Sequence, residues 1–158
     1  MISQPLSEEV DGCGYLYFRR LWEPRDNHLC VVIDEAMITD EAPADMADVP
    51  PKLVTQIRPI VVAPQSRAFQ LVWERCVAYS VTSESFHVRG EADRIASGRL
   101  LVVYEQSDYL NYLRRVTWDT GNVFGPIVHV GIFCLNHIID VVSFGPPDVQ
   151  PTLPLPSE

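Results

Sequence analysis

Four residues able to donate, accept or ligate, His129, Asn136, His137 and Asp140, sit inside Gly125–Phe144, GPIVHVGIFCLNHIIDVVSF, an almost wholly apolar stretch. Polar groups carried into an apolar run need hydrogen-bond partners once buried, so such a cluster is either a structural network or a site. Cys134, His137 and Asp140 are spaced i, i+3, i+6. On a helix they would share a face and offer three ligands to a metal ion. On a strand, His137 and Asp140 would point to opposite faces. The flanking Ile138, Ile139, Val141 and Val142 are β-branched, and Phe144-Gly145-Pro146 ends the run as a strand ends. The spacing therefore loses its helical meaning, and no metal or other cofactor is expected. The run divides into strands Ile127–Cys134 and His137–Phe144, across a tight turn at Leu135-Asn136 or across a bulge. Asn136 is the residue there best suited to a left-handed backbone.

Other groupings offer less chemistry. Ser83, Glu84, Ser85 and His87 bring a hydroxyl, a carboxylate and an imidazole close in sequence. A nucleophile, however, needs a base that is itself oriented by a third group, and neighbours at a strand end rarely converge that way. No G-x-S-x-G elbow and no phosphate-cradling glycine loop is present. Glu84 and Glu105 are the one carboxylate pair expected at strand ends. Arg19, Arg20 and Arg25 beside Tyr15, Tyr17 and Trp22 form a local basic-aromatic patch, read as the rim of an edge strand. The candidate pocket or polar network is thus Tyr79, Glu84, Asn136, His137 and Asp140, with no catalytic residue assigned.

The elements that must position these groups are mostly strands. Tyr15–Trp22 and Leu29–Ile33 flank the turn cluster Glu23–Asn27 and predict a hairpin. From Phe69 the residues Leu71, Trp73, Val77, Tyr79 and Val81 alternate with small or polar ones, with one fault at Arg75. That pattern predicts one long strand, bulged at the fault, with a single face on the core. Arg99–Tyr104 is a further short apolar strand. One helix is well signalled: Ser107 as N-cap, Asp108 in the first turn, Arg114 and Arg115 near the end, and an apolar stripe of Tyr109, Leu110, Leu113 and Val116. The expectation is a single α+β domain over 13–145, a mainly antiparallel sheet of about five to seven strands packed by the helix at 107–117. A loose leader, 1–12, would precede it and a proline-rich extended tail, 146–158, would follow.

The chain has 158 residues, a size that supports a core without staples, and 47% hydrophobic against 21% charged residues places it among globular proteins. Its four cysteines, Cys13, Cys30, Cys76 and Cys134, form no C-x-x-C pair, and the opening residues do not read as a secretory signal. A cytoplasmic protein with free thiols is expected. The apolar run at 125–144 is broken by a carboxylate, two imidazoles and an amide, so it reads as core and not as a membrane span. The net charge is −9, with Lys52 the sole lysine. Asp34, Glu35, Asp40, Glu41, Asp45 and Asp48 crowd one segment that has no base of its own. Such a field repels nucleic acid and anionic membrane and attracts a basic protein.

The second half resembles a family of small bacterial proteins of unknown function. The resemblance rests on Tyr79–Ser85 (YSVTSES), Tyr104–Leu110 (YEQSDYL), Gly125-Pro126 and Cys134–Ser143 (CLNHIIDVVS), and covers about residues 68–144. It implies a bacterial origin and brings no activity with it. From charge and size, the leading expectation is a non-enzymatic acidic interaction module, comparable to immunity-type or antitoxin-like inhibitors, that engages a basic partner through 34–48. The alternative is a small-molecule-binding protein or enzyme with its pocket near Tyr79, Glu84, His137 and Asp140. Oligomeric state is not legible.

Overall fold

The computed structural model describes residues 4–41, 47–54, 56–118 and 124–154. In chain order these form α1 (Gln4–Gly12), β1 (Tyr15–Trp22), β2 (Leu29–Ile38), α2 (Pro51–Val54), β3 (Ile60–Val61), β4 (Ala68–Trp73) and β5 (Cys76–Ser83). There follow a 3-10 turn at Glu84–Phe86, then β6 (Arg94–Ser97), β7 (Leu101–Gln106), α3 (Asp108–Val116), β8 (Val128–Phe133), β9 (His137–Ser143) and β10 (Asp148–Thr152). Every strand pairing is antiparallel. The α+β class holds, but in place of the expected one sheet of about five to seven strands the described residues form ten strands divided between two five-stranded sheets. The first runs β1-β2-β4-β10, with β3 against the end of β2; the second runs β5-β9-β8-β7-β6.

The sheets share one core. Leu29, Val31, Ile33, Phe69, Leu71 and Trp73 from the first meet Leu101, Val130, Ile132, Ile139 and Val141 from the second. Strand alternation places each set on one face. The hairpin expected at the start forms β1 and β2, and Asn27 in its connection takes a left-handed backbone with φ 59. On the far face of the second sheet lies α3. Leu110 and Leu113 pack on Val142 there, and the Ser107 hydroxyl accepts the backbone N–H of Leu110 as its N-cap. The helix forms where its cap and charge pattern place it, with Leu110 and Leu113 of the expected stripe buried and Val116 exposed.

Three further expectations are corrected. The long strand from Phe69 to Val81 is two strands, since the fault at Arg75 marks the point where the chain leaves the first sheet and enters the second. An alternation fault looks the same in sequence whether it bulges one strand or separates two. The leader is not loose from Gln4 onward: in α1, Val10 is fully buried. The Asp11 carboxylate accepts the backbone N–H groups of Arg99, Leu100 and Leu101 at 3.1, 2.8 and 2.9 Å. A single turn-face anchored by one apolar side chain carries too little periodicity to be legible. Residues 148–152 of the tail are strand β10, paired to β4 with Val149 opposite Leu71 in the core. Pro151 suits this position because β10 is an edge strand, where a missing N–H need not break a ladder. Among the described residues no helix is long and apolar enough to cross a membrane.

Asp11 satisfies three successive amides at the entry to β7 at once, and hydrogen bonds to a charged acceptor contribute about 1.5–3 kcal/mol. Replacing it with Ala should lower stability by about 2 kcal/mol in urea titration, with a smaller loss for Asp11→Asn.

Candidate functional site

The best-organised polar constellation joins a helix cap to the second sheet. His129 on β8 lies directly opposite Tyr104 on β7 and diagonal to Asp140 on β9, all on the face that α3 covers. His129 Nδ1 is 2.7 Å from Ser107 Oγ, and its Nε2 is 2.8 Å from Asp140 Oδ1. With a neutral imidazole the contacts take one arrangement: Nε2–H donates to the Asp140 carboxylate, and Nδ1 accepts from the Ser107 hydroxyl, whose oxygen also accepts the Leu110 N–H. Tyr104 stacks on the imidazole with ring centroids 4.2 Å apart, and Tyr109 meets it edge-on at 5.5 Å. Gly131 makes room for that stack, since a Cβ there would come within 2.9 Å of the Tyr104 ring.

Serine, histidine and aspartate in a row invite comparison with a hydrolytic triad. Attack by a serine requires an accessible hydroxyl facing substrate. Ser107 is 1% exposed, and its oxygen is already the helix cap. Ser107, His129 and Asp140 instead tie α3 to β8 and β9.

Of the expected pocket residues, Asp140 belongs to this network and turns away from His137. Asn136 sits in the turn between β8 and β9, yet it does not take the left-handed backbone expected of it. Its side chain acts across the sheets. Oδ1 accepts the Phe18 N–H at 2.9 Å, and Nδ2 donates to the Phe18 carbonyl at 2.9 Å, beside the irregularity of β1 between Phe18 and Arg20. His137 packs edge-on against Phe18, and its buried Nδ1 has no hydrogen-bond partner among the described residues. Tyr79 lies in the middle of β5, five residues before Glu84, while Ser83 is the residue opposite His137. The structure therefore does not bring Tyr79, Glu84, His137 and Asp140 into one cleft. Tyr79 faces a separate hollow of about 550 Å³ whose lining includes Glu23, Asp26, Asn27 and Cys76. A hydrogen bond from its hydroxyl to the Glu23 carboxylate holds the phenol above its ordinary pKa, since ionising it would face a second negative charge.

The acidic segment is also redistributed. Asp34 is buried and held by the Arg19 guanidinium, whose Nε donates to Oδ2 at 2.8 Å. Glu35 is held by Arg67 through Nε and Nη2 at 2.9 and 3.0 Å, which keeps its carboxyl below the ordinary value despite partial burial. Asp40 pairs with Arg58 at the surface. Asp40, Glu41 and Asp48 are exposed, and Asp45 lies outside the described residues. Bases from distant parts of the chain thus neutralise what the linear segment left uncompensated. Neither Asp34 nor Glu35 is free to meet a partner.

Among the described residues no group of His, Cys, Asp or Glu side chains is arranged to hold a metal ion, and the cysteines are free. The chain matches no protein-family model, no curated protein and no solved structure.

Two measurements follow. Ser107→Ala removes a cap and the Nδ1 partner together, and should cost about 2 kcal/mol in urea titration. Burial, which disfavours the charged form, pushes the Cys13 and Cys76 thiols up to about 11 and the Tyr109 phenol up to about 12. These groups are more readily ionised in the unfolded chain, so their contribution is complete below the ordinary thiol pKa and is lost as pH rises through the folded values. Stability should hold to about pH 9 and then fall through pH 11–12, read as the urea midpoint at each pH.

Proposed function

We propose that this chain is a non-enzymatic, cytoplasmic interaction module that engages a basic protein, in the manner of small acidic inhibitors. The observation that carries this reading is where the polar chemistry lies. Its best-organised hydrogen-bonding groups, Ser107, His129 and Asp140, and the Asn136 amide on Phe18, are spent on joining elements of the fold. Exposed carboxylates at Glu23, Asp26, Glu41, Asp48 and Glu84 remain on a chain of net charge −9. Charge of one sign on the surface steers an oppositely charged partner and disfavours nucleic acid or an anionic membrane. A bacterial origin, implied by the resemblance over residues 68–144, is compatible with such an inhibitor. A small-molecule pocket is the weaker reading, because Tyr79, Glu84, His137 and Asp140 diverge.

The test is pairwise binding of purified candidates recovered on the immobilised chain. A basic partner is expected, with affinity falling about tenfold or more as salt rises from about 50 to 500 mM. Reversing the charge of Glu41 and Asp48 to Lys should weaken binding without shifting the melting temperature. Partners that bind equally at high salt, or partners that are all acidic, would count against the reading.

A further inference from the structure

Both sheets have edges, and most are blunted. An open strand edge presents unpaired N–H and C=O groups that can template another strand, and proteins usually blunt such edges with charge, proline, bulges or brevity. In the first sheet, β1 carries Arg19, Arg20 and an irregularity; β3 is two residues long; β10 contains Pro151. In the second sheet, β6 is four residues long, begins with Arg94 and pairs with two register shifts. Strand β5 differs. It is eight residues long, CVAYSVTS, without a charge or a proline, and its one irregularity lies at its start, between Cys76 and Ala78.

The outward-facing groups can be named. The Glu84 N–H donates to the Asn136 carbonyl, so alternation turns the backbone of Thr82, Ser80 and Ala78 toward β9. Tyr79, Val81 and Ser83 then direct N–H and C=O outward, and no strand among the described residues lies beyond them. At the start of β5 the edge is closed, because the Cys76 N–H donates to the Asn27 carbonyl. Tyr79 and Val81 are 37% and 41% exposed, which leaves an apolar strip along the open part. Carboxylates stand at both ends. Glu23 and Asp26 line the hollow beside Tyr79, and exposed Glu84 follows Ser83. Arg25 belongs to the same turn as Glu23 but does not line that hollow.

We propose that an extended segment of a basic protein adds to the second sheet along Tyr79–Ser83, as an eleventh strand. Its backbone pairs with Tyr79, Val81 and Ser83, its apolar side chains cover Tyr79 and Val81, and basic residues near its two ends meet Glu23 and Asp26 on one side and Glu84 on the other. This rests on the reading of the chain as a module for a basic partner and gives that partner's segment a place and a conformation. Main-chain pairing supplies affinity and the alternate side chains supply selectivity.

The probe is a synthetic peptide of alternating valine and threonine with paired lysines at each end. Companion peptides end in glutamates, or carry N-methyl groups on alternate residues in one phase or the other. The full-length chain should bind the lysine-ended peptide and discriminate against the glutamate-ended one. One N-methyl phase should weaken binding about tenfold or more, because it removes the amides that face β5, and the other phase should be tolerated. V81P deletes an outward N–H while leaving the ladder to β9, and should weaken the peptide to the same degree with an unchanged melting temperature. If V81P itself unfolds the chain, the two N-methyl phases still decide. Lysine-ended binding that ignores both the N-methyl phase and V81P would overturn strand addition while leaving the basic-partner reading standing. Equal binding of both peptide charges, or no binding, would overturn this proposal. Sedimentation showing that the chain pairs through β5 with a second copy, a dimer abolished by V81P, would also overturn it.

Discussion

Polar groups that the two sheets carry out of water are mostly answered by a different element, with Trp73 Nε1 and His137 Nδ1 left unpartnered among the described residues, and the architecture is arranged around that requirement. An unpaired buried polar group costs about 1–3 kcal/mol, comparable to a substantial fraction of a domain's net stability. Asn136, in the turn between β8 and β9, supplies the partners that Phe18 lacks beside the irregularity in β1, and so couples the second sheet to the first. Asp11 does the same for the amides that lead into β7, which is why the N-terminal helix belongs to the domain. Arg19 closes over Asp34 and also reaches the carbonyl of Leu153, tying the chain beyond β10 to β1 and β2. A buried carboxylate deprived of its guanidinium is strongly destabilising, so this pairing constrains the first sheet.

The same requirement separates chemistry that is available from chemistry that is used up. Ser107, His129 and Asp140 have the residue types of a nucleophilic relay. Their hydrogen bonds run from the cap of α3 to β8 and β9, beneath two tyrosines. What remains exposed is peripheral: carboxylates and, among the described residues, the unpaired edge of β5.

Parts of this were legible from local pattern alone. Ser107, Asp108 and Arg114-Arg115 bracket the helix because capping and dipole effects act within one turn. The β-branched residues around Asp140 identify β9 and remove the helical reading of Cys134, His137 and Asp140. The His129–Asp140 contact was within reach as well. A turn at Leu135-Asn136 pairs Gly131 with Asp140, which sets His129 diagonal to it on the same face. Ser107 could not be added to that pair, because which face of the sheet the helix covers depends on packing between elements distant in sequence.

By itself, the sequence determined the mainly antiparallel α+β class, the helix with its cap, the β8–β9 hairpin and the acidic character of the surface. These depend on periodicity, propensity and composition, which act between residues close together in the chain. Tertiary structure decided the rest. It turned a fault at Arg75 into a crossing between sheets, drew residues 148–152 into the first sheet, and set Arg19 and Arg67 against Asp34 and Glu35. It also left β5 at an edge. Each of these joins residues far apart in sequence, and only the closure of the two sheets on one core brings such residues within reach of each other.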